Sequence, residues 1–152
     1  MLFLFKREFD FAIRICAYLG GKYPHQLSSI NVISKNLLIT KPYTTKLVYK
    51  LKQAGVVGTE QGINGGVYLN IPPNKLSLYK ILSAVGLSKT ISECITEEDF
   101  CPLPPPCKIH SFFMEEEEKL INKLKKKNIS SFVFTDKDLK QSVNSNTKIK
   151  RS

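Results

Sequence analysis

Three of the four cysteines lie close together in a segment that carries little secondary-structure signal. Cys94, Cys101 and Cys107 follow the spacing C-x6-C-x5-C, and His110 lies three positions after the last of them. Thiolates bind zinc and iron-sulfur clusters, and three on one short segment of a cytosolic chain exceed what chance clustering would give. Three are too few for a zinc site made of cysteines alone. The spacing therefore predicts a metal site that a further group completes.

The spacing alone leaves the chemistry of this site open. A zinc site would take the three thiolates with His110 as the fourth ligand, whereas an iron-sulfur cluster accepts a nitrogen or an oxygen ligand at one position. The thiols could instead form a regulatory disulfide, or be inert. The proline-rich run at 102–106 stiffens the segment before Cys107, which lowers the entropy lost when the ligands converge.

The elements before the cysteines have the order of a helix-turn-helix. Apolar spacing predicts an amphipathic helix over 9–19, with Cys16 as a core residue, and a short helix near 30–37. A third helix begins near Thr40 and ends before Gly55, with an inner stripe of Leu47, Val48, Leu51 and Ala54. Its outer face is basic.

A hairpin and a fourth helix follow this unit. Residues 56–60 and 67–71 are rich in β-forming types and flank an Asn-Gly-Gly turn, which predicts a β-hairpin. A hairpin directly after a helix-turn-helix is a wing. Helical spacing then resumes from Leu76 to Val85. The expected fold class is mainly α with a small β wing: a winged helix-turn-helix domain plus a long dimerisation helix.

The third helix carries the groups expected to contact DNA. The first turns of a recognition helix contact base edges, and lysines beside them contact phosphates. Lys46 and Lys50 are the expected phosphate contacts. The exposed groups expected in the first turns are Thr40, Lys41, Tyr43, Thr44 and Thr45.

Composition favours a polyanionic partner. The 152 residues contain 23 Lys and Arg against 13 Asp and Glu, a formal charge of +10, so double-stranded DNA is the leading partner class. We expect no membrane span and a cytoplasmic location, because no apolar run is long enough and no secretory signal is present. No nucleophile-base pair, phosphate loop or pair of acids indicates an enzyme.

The expected organisation has four parts. Residues 1–86 form the winged helix-turn-helix domain, 87–106 the cysteine-rich loop, 107–134 a dimerisation helix with its C-terminal segment, and 135–152 a disordered basic tail. The long helix places Glu115–Glu118 early and its lysines late, which suits the helix dipole. A helix of this length needs a partner, and self-association into a homodimer is the simplest one.

The motifs together resemble one family, the Rrf-type winged-helix regulators, over about residues 6–132. The carriers are Asp10-Phe11-Ala12-Ile13-Arg14, Leu51-Lys52-Gln53-Ala54-Gly55, the run from Gly62 to Leu69, and the three cysteines. The resemblance implies a homodimeric transcription regulator, expected to be a repressor, that binds a palindromic promoter site. An iron-sulfur cluster sensing nitric oxide, redox state or cluster status would control it. A zinc- or thiol-based regulator, or a metal-stabilised interaction scaffold, is the alternative.

The resemblance also suggests a fourth ligand and a wing contact. In nitric-oxide-sensing, NsrR-type members an acidic residue of the partner's first helix is the ligand, and Asp10 matches it. In IscR-type members a histidine three positions after the third cysteine is the ligand, and His110 matches it. The Asp10-Phe11-Ala12-Ile13-Arg14 block is closer to the NsrR type, so we expect Asp10 and a 4Fe-4S cluster, with His110 and a 2Fe-2S cluster as the alternative. Gln61 replaces the family's usual wing arginine beside Gly62, at the expected minor-groove contact.

Overall fold

The computed structural model describes residues 5–24, 26–88, 102–104 and 106–139. Within these ranges it contains five named α-helices and one two-stranded antiparallel sheet, and residues 136–139 are helical as well. In chain order they are α1 (Arg7–Gly20), α2 (Ile30–Leu37), α3 (Lys41–Gln53), β1 (Val57–Glu60), β2 (Gly66–Leu69), α4 (Leu78–Ala84) and α5 (Lys108–Lys126). Three-residue 3-10 turns occupy Pro73–Lys75 and Ile129–Ser131. This order confirms the predicted fold class.

A tight, hydrogen-bonded turn joins α2 to α3. The Ser29 hydroxyl caps α2 by accepting the Val32 N–H at 3.2 Å. At the other end Leu38 adopts a left-handed conformation, with φ at 55°. The Ile39 N–H then donates to the Ser34 carbonyl at 3.1 Å, and the Ser34 hydroxyl donates to the Ile39 carbonyl at 2.6 Å. These bonds fix the start of α3 relative to α2.

Helix α3 packs one face into the core. Leu47, Val48 and Leu51 are buried as predicted. Ala54 is exposed, contrary to the prediction, because α3 ends at Gln53 and Ala54 belongs to the turn that follows. In that turn Gly55 takes a φ of +71°, a conformation that glycine adopts without steric cost. The C-terminal end of α3 therefore points the chain directly into the wing.

The wing is anchored to the helices at both edges. Strand β1 pairs with β2 from Val57 opposite Leu69 to Glu60 opposite Gly66. On one side the Lys52 ammonium donates to the Thr59 hydroxyl at 2.7 Å, which ties α3 to β1. On the other side the backbones of Ser28 and Val67 exchange hydrogen bonds of 3.0 and 2.8 Å. The wing and α3 thus form one unit.

The C-terminal end of α5 is joined to the winged helix-turn-helix core. The Leu78 N–H, in the first turn of α4, donates to the Lys127 carbonyl at 2.8 Å. The Ile129 N–H donates to the Leu76 carbonyl at 2.8 Å, and the Ile129 side chain is fully buried. The C-terminal end of α5 is therefore fixed to the core on which α3 packs.

The chain stays ordered past the point where the sequence predicted a disordered tail to begin. The Thr135 N–H and hydroxyl donate to the Asp138 carboxylate at 2.7 and 2.9 Å. The fully buried Tyr18 donates its hydroxyl to Asp136 at 2.9 Å. A buried hydroxyl requires a partner, and Asp136 supplies one, so this segment is held on α1 through Leu139. The rest of the predicted tail, 140–152, lies outside the described residues.

Gly21 permits this close approach, and its replacement is a test of the anchoring. A Cβ on Gly21 would collide with the Phe134 carbonyl oxygen, which is backbone and cannot rotate away. We expect Gly21→Ala to lower the free energy of unfolding by about 1–3 kcal/mol and to expose the segment after Phe134 to proteases. Urea denaturation and limited proteolysis measure both effects.

Gly20→Ala is the matched control for this prediction. Its Cβ would meet a methyl of Val133 at 2.8 Å, and that side chain can move. A Gly21→Ala variant as stable and as protease-resistant as Gly20→Ala would contradict the assigned contact.

Candidate nucleic-acid interface and metal ligands

The first turns of α3 expose most of the predicted DNA-contacting groups. Thr40, Lys41 and Thr45 are all exposed. The Thr45 hydroxyl donates to the Lys41 carbonyl at 2.9 Å, which leaves its oxygen free to accept a bond from a base. The structure therefore presents two hydroxyls and one ammonium group at the start of the helix.

Thr44 is a correction to the sequence prediction. It was expected among the exposed groups, but its side chain is fully buried and its hydroxyl donates to the Thr40 carbonyl at 3.0 Å. The helical spacing contained the signal, because position 44 lies three and four residues before the buried Leu47 and Val48. Thr44 therefore fixes the first turn of α3 and does not present its hydroxyl outward.

Tyr43 is half-buried and only partly presented. Its ring packs edge-on against Phe11 of α1, with the ring centroids 5.6 Å apart. Both aromatic residues line a shallow cavity of about 230 Å³ together with Arg7, Leu38 and Thr40. The packing holds the N-terminal end of α3 against α1.

Lys46 and Lys50 converge on a carboxylate that the sequence analysis did not single out. Their ammonium groups lie 3.2 and 3.5 Å from the same oxygen, Oε1 of Glu8. The hydrogen bond from Lys46, with the charges of both lysines, holds the pKa of Glu8 below its ordinary value against a smaller opposing effect of burial. Glu8 and Lys46 are 38 residues apart, so no linear pattern could indicate the contact.

The tip of the wing is open to solvent. Gln61 and Gly62 are exposed, and Gly62 takes a φ of +107° in the turn between the strands. Ile63 beside them is fully exposed as well. A turn of this shape places backbone and short polar groups at the outermost point of the hairpin.

Cys107 stands at the entrance to α5. It is the residue immediately before the helix, is half-buried, and its carbonyl accepts the N–H and the hydroxyl of Ser111 at 3.0 and 3.2 Å. His110 is half-buried one turn along α5, on the same side as Cys107 by helical spacing. Cys94 and Cys101 lie outside the described residues, as does His25.

Asp10 lies on α1 and is engaged by an arginine. Its two carboxylate oxygens accept the Nε and a terminal nitrogen of Arg14 at 3.0 and 2.7 Å. Each carboxylate oxygen has two lone pairs, so both can still bind a metal while paired to Arg14. Within the described ranges no three His, Cys, Asp or Glu side chains converge. The structure of one chain therefore does not bring Asp10 together with Cys107 and His110.

Cys16 belongs to the core, as predicted, and its burial predicts its reactivity. The side chain is fully buried in α1, and desolvation raises the pKa of its thiol far above the ordinary value. Because the thiolate is the nucleophile, we expect iodoacetamide to leave Cys16 unmodified in the native protein and to modify it after unfolding in urea. Mass spectrometry of peptides checks this. Native labelling of Cys16 at the rate of Cys107 in cluster-free protein would contradict the burial.

None of the helices in the described ranges combines the length and the apolar character needed to cross a bilayer.

Sequence comparisons point to a family of regulators. A sequence profile of the Rrf2 family, described as an iron-dependent transcriptional regulator, matches residues 5–135. The chain is 24% identical over 132 residues to the HTH-type transcriptional regulator NsrR of Shouchella clausii, with 86% of this chain and 89% of the relative covered. It is 28% identical over 99 residues to the NsrR of Bacillus subtilis, which covers 64% of this chain and 68% of that relative.

Solved structures share the fold. The structure of CymR, the global cysteine regulator of B. subtilis, superposes with a TM-score of 0.68 at 16% identity, covering 83% of this chain and 92% of that one. The structure of T. potens IscR superposes with a TM-score of 0.65 at 16% identity, covering 83% and 82%. Family and relatives are regulators and not enzymes, which confirms the expectation that the chain is no enzyme. With its winged helix-turn-helix and this match over most of its length, the chain belongs to the Rrf2 family of transcriptional regulators.

Proposed function

We propose that this regulator is a homodimeric repressor, acting in the cytoplasm, whose affinity for a palindromic promoter site is controlled by an iron-sulfur cluster on Cys94, Cys101 and Cys107. One observation supports the proposal above others. Cys107 immediately precedes α5, and the residues just after the opposite end of the helix are hydrogen-bonded to the winged helix-turn-helix core. A change at the ligand therefore reaches the DNA-binding unit through one continuous helix.

The geometry of α5 makes this coupling effective. The helix has 19 residues, so it extends about 28 Å at 1.5 Å per residue. A small rotation where Cys107 is held becomes a larger displacement near Lys127 and Ile129. There the bonds to Leu78 and Leu76 carry it into α4 and the core.

The exposed apolar side chains of α5 support the homodimer. Large exposed apolar patches mark interaction surfaces, and a long helix with an unpartnered apolar face gains stability by pairing. Of the exposed apolar residues of α5, Ile109, Phe112 and Leu120 share one face by helical spacing, and Met114 lies off that face. We propose that this face pairs with the same face of a second copy, with residues 107–134 as the dimerisation segment.

The donor set fits an iron-sulfur cluster of the 4Fe-4S type. Thiolates are its usual ligands, and Cys107 is half-buried without a hydrogen bond that caps α5 through its side chain. We propose Asp10 of the second subunit as the fourth ligand, because its carboxylate is partly exposed and keeps free lone pairs. His110 beside Cys107 is the alternative, with a 2Fe-2S cluster. When bound, the cluster would supply iron with a weakly held position that is open to nitric oxide or oxygen.

On DNA, α3 and the wing would have separate roles. Thr40, Lys41 and Thr45 would contact base edges in the major groove, with Tyr43 at the margin of this surface. Lys46 and Lys50 would contact phosphates. Gln61 and Gly62 would enter the neighbouring minor groove. The two recognition helices of a dimer would then occupy half-sites about 34–36 Å apart.

The proposal is tested by selecting DNA from a random duplex pool. The selection is run once with anaerobically purified protein and once with cluster-free protein. The expected result is enrichment of a palindrome by one of the two forms, with at least a tenfold difference in affinity between them, and a dimer in sedimentation. Enrichment of the same sequence with equal affinity by both forms would contradict control by a cluster. Failure of both forms to bind any duplex would contradict the DNA interface itself.

A further inference from the structure

Glu8 holds two recognition-helix lysines at one point. The ammonium groups of Lys46 and Lys50 lie 3.2 and 3.5 Å from Oε1 of Glu8, and the Glu8 side chain is only 24% exposed. Lys46 and Lys50 are four residues apart on α3, so their like charges would repel each other in the absence of the carboxylate. Glu8 therefore determines where both positive charges stand.

The ammonium groups of Lys46 and Lys50 still have N–H donors available for a phosphate while they contact Glu8. Each ammonium group has three N–H donors, and the contact with Glu8 uses one of them. The side chain of Lys46 is 56% exposed and that of Lys50 is 34% exposed, so both can still bind an anion from the solvent side. Glu8, Lys46 and Lys50 together carry a net charge of +1, whereas the two lysines alone would carry +2. Both ammonium groups are held beside the same carboxylate oxygen. Such an arrangement suits a phosphate at one place along the groove and disfavours phosphates elsewhere.

We propose that Glu8 is a specificity-determining residue, which fixes Lys46 and Lys50 for a phosphate in one register and limits their use on unrelated DNA. This inference rests on the proposed DNA interface of α3. Without the carboxylate the two lysines would separate and follow phosphates in many registers. The higher positive charge would raise affinity for any duplex. At the selected site this gain would be offset, because the lysines would no longer be held in place before binding. Affinity for unrelated DNA would therefore rise more than affinity for the selected site.

The test compares the wild type with Glu8→Gln. The affinity of each for a selected palindrome and for an unrelated duplex of equal length is measured across a salt series. For the unrelated duplex we expect affinity to rise about threefold to tenfold, and the slope of log K against log salt to steepen by about 1 for each subunit, or about 2 for the dimer. For the selected duplex we expect a smaller gain or a loss, so the specificity ratio falls by at least threefold. Thermal unfolding controls for the fold.

Two further variants isolate the effect. Glu118→Gln removes the same charge from an exposed position of α5 that lies off the stripe of Ile109, Phe112 and Leu120, and should leave the specificity ratio unchanged. In a background of Lys46→Ala and Lys50→Ala, Glu8→Gln should no longer change the ratio, because the groups it positions are gone.

The outcomes separate this inference from the function on which it rests. A wild-type protein that binds neither duplex would overturn the DNA interface and the role of Glu8 together. A wild type that binds, with an unchanged or higher specificity ratio in Glu8→Gln, would overturn the role of Glu8 alone. An equal fall in the ratio for Glu118→Gln would assign the effect to net charge, and this would also overturn the role of Glu8.

Discussion

The Cys107→Ala variant, purified without oxygen, will contain no cluster iron while it remains a folded dimer. The Cys107 side chain makes no capping bond to α5, and the bonds from Ser111 go to the Cys107 backbone carbonyl, which alanine retains. The fold therefore loses little, whereas the proposed cluster loses one of three thiolates. Cys101→Ala should behave in the same way. Iron and sulfide analysis measures the cluster content, circular dichroism the fold, and sedimentation the dimer.

Cys16→Ala is the matched control for the ligand variants. Cys16 is fully buried in α1 and lies in the hydrophobic core, so its loss should cost stability and leave iron content unchanged. Wild-type iron in both Cys101→Ala and Cys107→Ala would reject the ligand assignment.

Asp10→Ala and His110→Ala compare the candidate fourth ligands by the same analysis. The variant that retains less iron, or whose cluster is lost faster in air, identifies the ligand.

Replacing Lys46 and Lys50 together by alanine will weaken binding both to the selected duplex and to unrelated duplexes. Both ammonium groups are partly exposed on α3 and carry the charge that we assign to phosphates. With Glu8 left in place, the change removes two positive charges from this surface. We expect the slope of log K against log salt to flatten by about 4 for the dimer, since each subunit loses two phosphate contacts, and affinity at low salt to fall by about tenfold or more. Fluorescence anisotropy across a salt series measures both.

Lys125 and Lys126 provide the matched control for this charge removal. Both are exposed basic residues in the last turn of α5, so their double replacement by alanine removes the same charge far along the chain from α3. We expect a much smaller change of slope. If Lys46→Ala with Lys50→Ala weakens only the selected site and spares unrelated DNA, these lysines contact bases and not phosphates.

The local elements of this fold could be predicted because each is encoded by neighbouring residues. Helix α3 shows its buried stripe in Leu47, Val48 and Leu51. The wing shows alternating β-forming residues around a glycine turn, and both were found within one or two residues of their bounds. Cys16 followed from the apolar spacing of α1. Such patterns repeat over short distances, so the sequence alone contains them.

The contacts that escaped prediction join residues far apart in the chain. Glu8 meets Lys46 across 38 positions, and Tyr18 meets Asp136 across 118. Neither pair follows a helical or strand period, because the contact depends on how α1 packs on α3 and on the C-terminal segment. Asp136 has two further partners: the Asn36 amide of α2 donates to it at 3.3 Å, and the Lys22 ammonium, in the turn after α1, lies 3.4 Å from it. A polar composition alone predicted a disordered tail there.

At the cysteine site the sequence predicts the three thiolate ligands but does not choose the fourth ligand. The spacing of Cys94, Cys101 and Cys107 predicts a metal site, since three thiols on one short segment exceed what chance clustering would give. The fourth ligand could not be chosen from spacing, because Asp10 and His110 each match a known position. Within one chain Asp10 is held by Arg14 on α1 while His110 follows Cys107 on α5. The choice therefore depends on how two copies of α1 and α5 meet.

Control of DNA binding by a cluster is tested most directly by titrating the anaerobically purified protein with nitric oxide. Visible absorption and binding to the selected duplex are followed in one sample. We predict a brown protein with about four irons per chain, whose absorption bleaches as its affinity for the duplex changes at the same ratio of nitric oxide to cluster. About two irons per chain would favour the His110 alternative. A colourless zinc protein, or bleaching that leaves DNA affinity unchanged, would contradict control of this regulator by a cluster.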